Sequence, residues 1–412
     1  MRLPCRRARL THSAAPCAPA RPSHGRVGAA RHVVPLYPLY ALLFTATGLS
    51  VAQVSALFAI WSAVAVLTEV PSGALADRFS RRSCLAAAGV LQAAGYAAWV
   101  LLPGFPGFAL GFVLWGFGGS LVSGAKEALL YDGLAAAGAQ EHYARVAGWV
   151  AAMELVAQLP AALAATWLFV AGGFPLVGWV SVGTCLAAAC VAAALPEPPR
   201  HDHGDGRGYF ATLRAGVTDA ARGPGVRPVL LAAAVLTAYD AVEEYFPLLL
   251  AGWGIPLAAV PLATVPIVLG GTAGAALGGV AARLPAWALA AILGTAMVLL
   301  GCAGGTVGVV AVAAFYGGYR AVLVVVDARL QERIASATRA TVTSVAGLGA
   351  ELATFAVYAA WAGGGAPVVA AGGLLIAAAL PLLLRGRVAG SGAPGIAATR
   401  RSEEEARAPR DS

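Results

Sequence analysis

The chain has 412 residues, of which 59% are hydrophobic and only 12% charged, with a mean hydropathy of +0.75. A soluble domain carries about twice that charged fraction, so repeated apolar runs of about 20 residues mark an all-α protein that crosses a membrane many times. The net charge of +8 does not point to nucleic acid, because the arginines beyond residue 32 sit mainly in alternate connections, as orientation signals do.

Residues 1–32 hold Arg2, Arg6, Arg7, Arg9, Arg21, Arg26 and Arg31 and no acid. A disordered basic tail, a transit peptide without an amphipathic stripe, and a misassigned start all fit them. Residues 33–49 form a first apolar run, at the lower length limit for a span and interrupted by Pro35 and Pro38. A second runs over 51–76 and a third over 85–102, with a Pro/Gly turn at 103–107 between it and a fourth at 108–125. Gly116, Ser120 and Gly124 repeat every four residues in that fourth run, a face for close helix packing. Runs five and six cover 146–170 and 175–195, before a polar Gly/His/Asp/Arg stretch at 196–228. A seventh run, 229–250, contains Asp240, Glu243 and Glu244, and an eighth, 257–282, stacks Gly270, Gly274 and Gly278. Runs at 284–302, 307–326, 341–361 and 366–384 complete the set, and 385–412 reads as a disordered tail.

Placing the cations fixes the expected topology. Arg78, Arg81, Arg82, Arg145, the arginines of 200–227, Arg283, Arg329, Arg333, Arg339 and the C-terminal arginines fall on one side. The connections near 103–107, 171–174, 251–256, 303–306 and 362–365 contain none. By the positive-inside rule both termini are cytoplasmic and the span count is even. The expected fold is therefore twelve transmembrane helices in two six-helix halves, 33–195 and 229–384, joined by a cytoplasmic linker.

Between the second and third runs the sequence reads Gly-x-x-x-Asp-Arg-x-x-Arg-Arg, carried by Gly73, Asp77, Arg78, Arg81 and Arg82. Gly73 permits close approach of two helix ends, and Asp77 can accept from neighbouring arginines or face a helix N-terminus. In this setting the motif resembles the loop between helices 2 and 3 of the major facilitator superfamily. Ser80 stands where that family usually has glycine. The resemblance extends over about residues 33–385, although the second half keeps only Gly278-Gly279 through Arg283, without the aspartate. It implies a secondary transporter whose halves rock about a midplane site, with Gly73, Asp77 and the arginines acting as a conformational hinge. Glu69, Glu127 and Asp132, near cytoplasmic helix ends, are expected to be gate or hinge partners.

Charges inside the runs are the candidate substrate or proton-coupling residues, since each is expensive in lipid unless paired or hydrated. Asp240 lies about 16 Å into the seventh run, near mid-depth. In an α-helix, offsets of three and four put Glu243 and Glu244 on the same broad face as Asp240. Three like charges so close cannot all be ionised cheaply, so one is expected to keep its proton. Arg320, Glu351 and Glu154 join the set from runs ten, eleven and five. The competing reading of these residues is structural ion pairing, with Arg320 answering a carboxylate. Trp99, Trp115 and Trp149 are aromatic candidates for a cavity wall.

No catalytic constellation, metal set or cofactor motif is visible. The glycines before Lys126 lack the Gly-Lys-Ser/Thr order of a phosphate loop, and His201-Asp202-His203 has no further ligands beside it. The six cysteines show no paired spacing and read as small buried residues. The expected function is alternating-access transport in the plasma membrane, with proton-coupled efflux (antiport) of a small amphipathic or cationic molecule preferred. Metabolite uptake is the rival, and a non-transporting receptor or membrane-embedded enzyme the alternative of another class. Against drug export stand the missing mid-helix arginine of span four and the missing Gly-Pro-x-x-Gly-Gly pattern of span five, which has only Gly148 and Pro160. The expected partners are a small-molecule substrate, protons and the lipid bilayer, with no nucleic acid, and the chain is expected to be a monomer.

Overall fold

A bilayer core offers no water to backbone amides, so an apolar chain satisfies them inside each segment by forming helix. The computed structural model describes residues 34–78, 80–136, 142–194, 226–305, 307–334 and 339–385, and no strand occurs among them. For residues 69–78, 123–124, 126–128, 131–133, 135–136, 143–144, 147–149, 151–156, 339–341 and 344 the description is confined to the backbone. The tails and the linker read from the sequence therefore lie outside the described residues, apart from the linker's last positions and Arg385.

In chain order the helices are α1 (Tyr40–Ala46, after a 3-10 turn at Tyr37–Leu39), α2 (Val51–Arg78), α3 (Arg81–Leu101), α4 (Phe105–Ala136) and α5 (Tyr143–Ala193). Then come α6 (Arg227–Ala238), a 3-10 segment at Tyr239–Tyr245, α7 (Phe246–Gly252) and a 3-10 turn at Leu257–Ala259. The last four are α8 (Val260–Ala281), α9 (Ala286–Cys302), α10 (Gly308–Arg333) and α11 (Arg339–Leu383). Seven described helices are long and apolar enough to cross a membrane. Leu67, Trp167, Val170, Trp287, Val310 and Leu375 are large apolar side chains left exposed, suited to hydrocarbon rather than water.

Two of these helices are each a pair of arms. α5 breaks at Gly172-Gly173 and α11 at Gly364-Gly365, and in both a proline follows two residues later. Gly173 has φ +62° and ψ −161°, and Gly365 has φ +65° and ψ −152°. Only glycine enters that region without strain. The ends of α1 and α7 match each other too. Gly48 N–H donates to the Thr45 carbonyl and Leu49 N–H to Phe44, while Gly254 and Ile255 bond Ala251 and Leu250 in the same pattern, a Schellman stop.

Packing repeats with the same spacing along the chain. In the first part α2 packs on α4, and α3 packs on α4 and on the second arm of α5, where Gly89 faces Ala189. In the second part α8 packs on α10, and α9 packs on α10 and on the second arm of α11, where Gly373 faces Met297. The glycine face of α8 meets α10 directly: Gly270 lies against Ala313, Gly274 against Gly317 and Gly278 against Val324. Ser120 of α4 sits 2.7 Å from Thr68 of α2, hydroxyl to hydroxyl. The two parts touch through α2 with α11, α5 with α8, and α1 with α7.

Two expectations need correction. The first apolar run yields helix only over Tyr37–Ala46, because Pro35 and Pro38 confine the helix start and Gly48 stops it. At 1.5 Å per residue that is about 15 Å, half the hydrocarbon thickness. Of the cysteines among the described residues, Cys84 and Cys185 are buried as expected, but Cys190 and Cys302 are exposed.

Candidate functional site

The seventh apolar run is not one helix. α6 tightens into a 3-10 segment over Tyr239–Tyr245 before α7 resumes. Pro247 supplies a reason: it has no N–H for the Glu243 carbonyl, and its ring would collide with that carbonyl in a continuous α-helix. Phe246 N–H takes the Glu243 carbonyl instead, an i to i+3 bond.

This local change redistributes the three carboxylates. A 3-10 helix turns 120° per residue, so Asp240 and Glu243 eclipse one another and Glu244 points a third of a turn away. The expectation of one shared face for all three is thus corrected. Asp240 and Glu243 face α10, where Arg320 Nη1 donates to Asp240 Oδ1 at 2.8 Å and the Tyr316 hydroxyl donates to Glu243 Oε2 at 2.7 Å. The two rungs are in register because three residues of 3-10 helix and four of α-helix both rise about 6 Å. The Arg320 guanidinium also lies 5.9 Å from the centre of the Tyr316 ring. Glu244 faces α1 and its entry turn, accepting from the Tyr40 hydroxyl and, at 3.4 Å, from Tyr37. That contact joins residues more than 200 positions apart.

The start of α1 is itself anchored. Leu36 N–H donates to Ser181 Oγ at 2.9 Å, with both residues fully buried, and the Ser181 hydroxyl donates to the Val177 carbonyl. Tyr37 is 38% exposed and lies against Trp115, which packs on Trp61 with ring centres 4.9 Å apart. The Asp240 and Arg320 side chains are 38% and 33% exposed. Ionisable side chains at mid-depth are expected to turn to the bundle interior or to a water-filled cavity rather than to lipid. Tyr245, next to Glu244, is buried where α2 and α11 meet: its hydroxyl is 2.7 Å from Ser55 Oγ and its ring stacks on Trp361 at 4.1 Å.

The other sequence candidates are placed as follows. Arg320 joins the cluster and takes Asp240 as its carboxylate, the ion pairing that the structural reading named. Glu351 is half-buried on α11, and Arg320's ion pair does not go to it. Glu154 on α5, Glu127 and Asp132 on α4, and Glu69, Gly73, Asp77 and Arg78 on α2 have helical backbone, but their side chains lie outside the description. Arg81 and Arg82 occupy the first turn of α3. Ser80 caps that helix by accepting from Ser83 N–H at 3.3 Å, so the residue in the family's glycine position has a local role. Trp99 is a core residue donating to the Phe108 carbonyl, Trp115 is half-buried between Tyr37 and Trp61, and the side chain of Trp149 is not described. The sequence reading missed Tyr316, Tyr37 and Tyr40. A signal existed for Tyr316, four residues before Arg320 and so on the same α10 face.

Comparison with known proteins agrees with this architecture. The sequence profile of the Major Facilitator Superfamily matches residues 31–358. The crystal structure of the nucleoside transporter NupG is similar with a TM-score of 0.72 at 12% identity, covering 90% of this chain and 100% of that one. A bacterial homologue of the human lysosomal transporter Spinster, inward-facing and occupied, gives 0.65 at 16%, covering 88% and 91%. The D-xylose-proton symporter gives 0.62 at 16%, covering 88% and 95%. No curated protein sequence matches. At these identities the structural likeness is one of fold, but the profile spans most of the sequence: the chain belongs to the Major Facilitator Superfamily and is an integral membrane transporter.

Proposed function

We propose that this chain is a twelve-span secondary transporter of the plasma membrane, with both termini cytoplasmic, that exports a small amphipathic molecule bearing a positive charge in exchange for protons. The twelve spans are the first apolar run, of which α1 is the helical part, then α2 to α4, the two arms of α5, α6 with α7, α8 to α10, and the two arms of α11. Sidedness is supported by two arginines: Arg329 donates to the Leu284 carbonyl and Arg333 to the Leu384 carbonyl, both at 2.9 Å. Three connections assigned to the cytoplasm by the charge rule thus meet at one end.

The observation that carries the reading is the 3-10 segment with Glu243 and Glu244 on it. Asp240 has a cation for a partner, whereas the hydrogen bonds to Glu243 and Glu244 come from tyrosine hydroxyls. Without a counter-ion of its own, a carboxylate in this setting is costly. Binding a proton, or a cationic cargo, removes the cost. Glu244 also bonds across to α1, so its loading bears on the contact between the two halves. Glu154, Glu351 and the hinge set Gly73, Asp77, Arg78, Arg81, Arg82, Glu69, Glu127 and Asp132 retain supporting roles in this proposal, in coupling and in gating.

The test is transport in proteoliposomes with an imposed pH gradient, using a panel of small amines with and without a carboxylate and protein-free liposomes as the baseline. The wild type should move an amine in response to the gradient. Glu243→Gln with Glu244→Gln should lose the response to the gradient. Unaltered pH dependence in that double variant would remove the proton-site reading. Proton-driven uptake is a second reading, with the D-xylose-proton symporter among the fold neighbours in its favour. It predicts accumulation on the alkaline side, where export by exchange predicts accumulation on the acidic side.

A further inference from the structure

Arg320 uses little of its binding capacity inside the protein. Its described contacts are one bond from Nη1 to Asp240 and the face of Tyr316. A guanidinium carries five N–H donors in a planar fork that suits a carboxylate taken two bonds at a time. Here Nε and Nη2 have no protein acceptor among the described residues, and the side chain is a third exposed. An arginine whose whole task was to neutralise Asp240 would be expected to bind it with both arms. One rung away, about 6 Å along α10, Glu243 accepts from Tyr316 at Oε2 and keeps Oε1 free among the described residues.

The cluster therefore presents an unspent cationic fork beside an unspent carboxylate oxygen, and the partly exposed ring of Tyr37, which bonds Glu244 and lies against Trp115, is its nearby aromatic surface. A simple cation would meet the charge of Arg320, and a simple anion would meet Glu243 and Glu244. We propose that the cargo is a small zwitterion of the amino-acid kind with an aromatic or apolar side group. Its carboxylate docks on the free edge of Arg320 and its ammonium on Glu243, while Asp240 holds Arg320 in place. The proposal rests on reading this cluster as the transport site and narrows the cargo to one chemical class.

Three probes with one ring separate the possibilities: phenylalanine, phenethylamine, which lacks the carboxylate, and 3-phenylpropionate, which lacks the ammonium. Their binding to the purified full chain in detergent is measured by calorimetry. Each charge-assisted contact is worth about ten- to a hundredfold in affinity, so phenylalanine should bind at least about tenfold more tightly than either of the others. Arg320→Gln should shrink its advantage over the amine to about threefold or less. The proposal falls if the amine binds as well as the zwitterion, if none of the three binds, or if a folded Arg320→Gln keeps the full preference. The wild-type comparison decides the matter even if that variant does not fold. Gradient-driven transport of phenethylamine with no preference for phenylalanine would sink the zwitterion and leave proton-coupled transport standing. Tight phenylalanine binding without any transport would do the reverse.

Discussion

The Asp240–Arg320 rung can be measured by a double-mutant cycle. Removing one partner of a fully buried ion pair costs about 3–5 kcal/mol, because the other charge is stranded. A fully exposed pair is worth about 0–1 kcal/mol. With the two side chains 38% and 33% exposed and a single bond between them, each single variant should fall between these limits, at about 2 kcal/mol. Asp240→Asn strands the guanidinium and Arg320→Gln strands the carboxylate, while the double variant strands neither. The double variant should therefore cost less than the sum of the singles by about 1–2 kcal/mol. Stability is read as thermal unfolding in one detergent, with size-exclusion profiles as the check on folding. If the three losses add to within about 0.5 kcal/mol, the two residues do not interact. The register between the 3-10 segment and α10 would then be wrong.

Two further outcomes follow from other parts of the fold. Gly173→Ala and Gly365→Ala each force a Cβ into backbone space that only glycine occupies, at about 1–3 kcal/mol apiece. Gly183→Ala, in open space on the second arm of α5, should be neutral or slightly stabilising by helix propensity. Equal stability of all three variants in thermal unfolding would contradict the break geometry. At the end of α2, Asp77→Asn should preserve expression and insertion while lowering the transport rate, since it removes the carboxylate of the proposed hinge. Wild-type initial rates in reconstituted vesicles would dismiss that role.

Much of the helix order is legible because bilayer physics leaves an apolar chain few choices. The breaks at Gly172-Gly173 and Gly364-Gly365 fall within the cation-free connections at 171–174 and 362–365. The Gly270, Gly274, Gly278 spacing on α8 becomes the surface that meets α10. The first apolar run, already at the lower length limit and carrying Pro35 and Pro38, forms a helix shorter than the run itself. Hydropathy credits Pro35 and Pro38 with membership of a run that the backbone does not continue as α-helix.

The site was legible in its charges and illegible in its geometry. Asp240, Glu243, Glu244 and Arg320 declare themselves by their cost in lipid, but which of them meet depends on the turn angle of seven residues. At 100° per residue Glu243 and Glu244 flank Asp240; at 120° one stays beneath it and the other leaves for α1. The information was present in Pro247, four residues after Glu243, though only as a reason for the α-helix to fail there, with no statement of what replaces it. The tyrosines of α1 carry no such local mark. Tyr40 reaches Glu244 because Leu36 is bound to Ser181, and those contacts span 204 and 145 residues. Helical periodicity describes what happens within a segment. Here the cluster assembles where periodicity lapses, at a proline-delayed helix start facing a 3-10 turn, and the same lapse gives two of its carboxylates different partners.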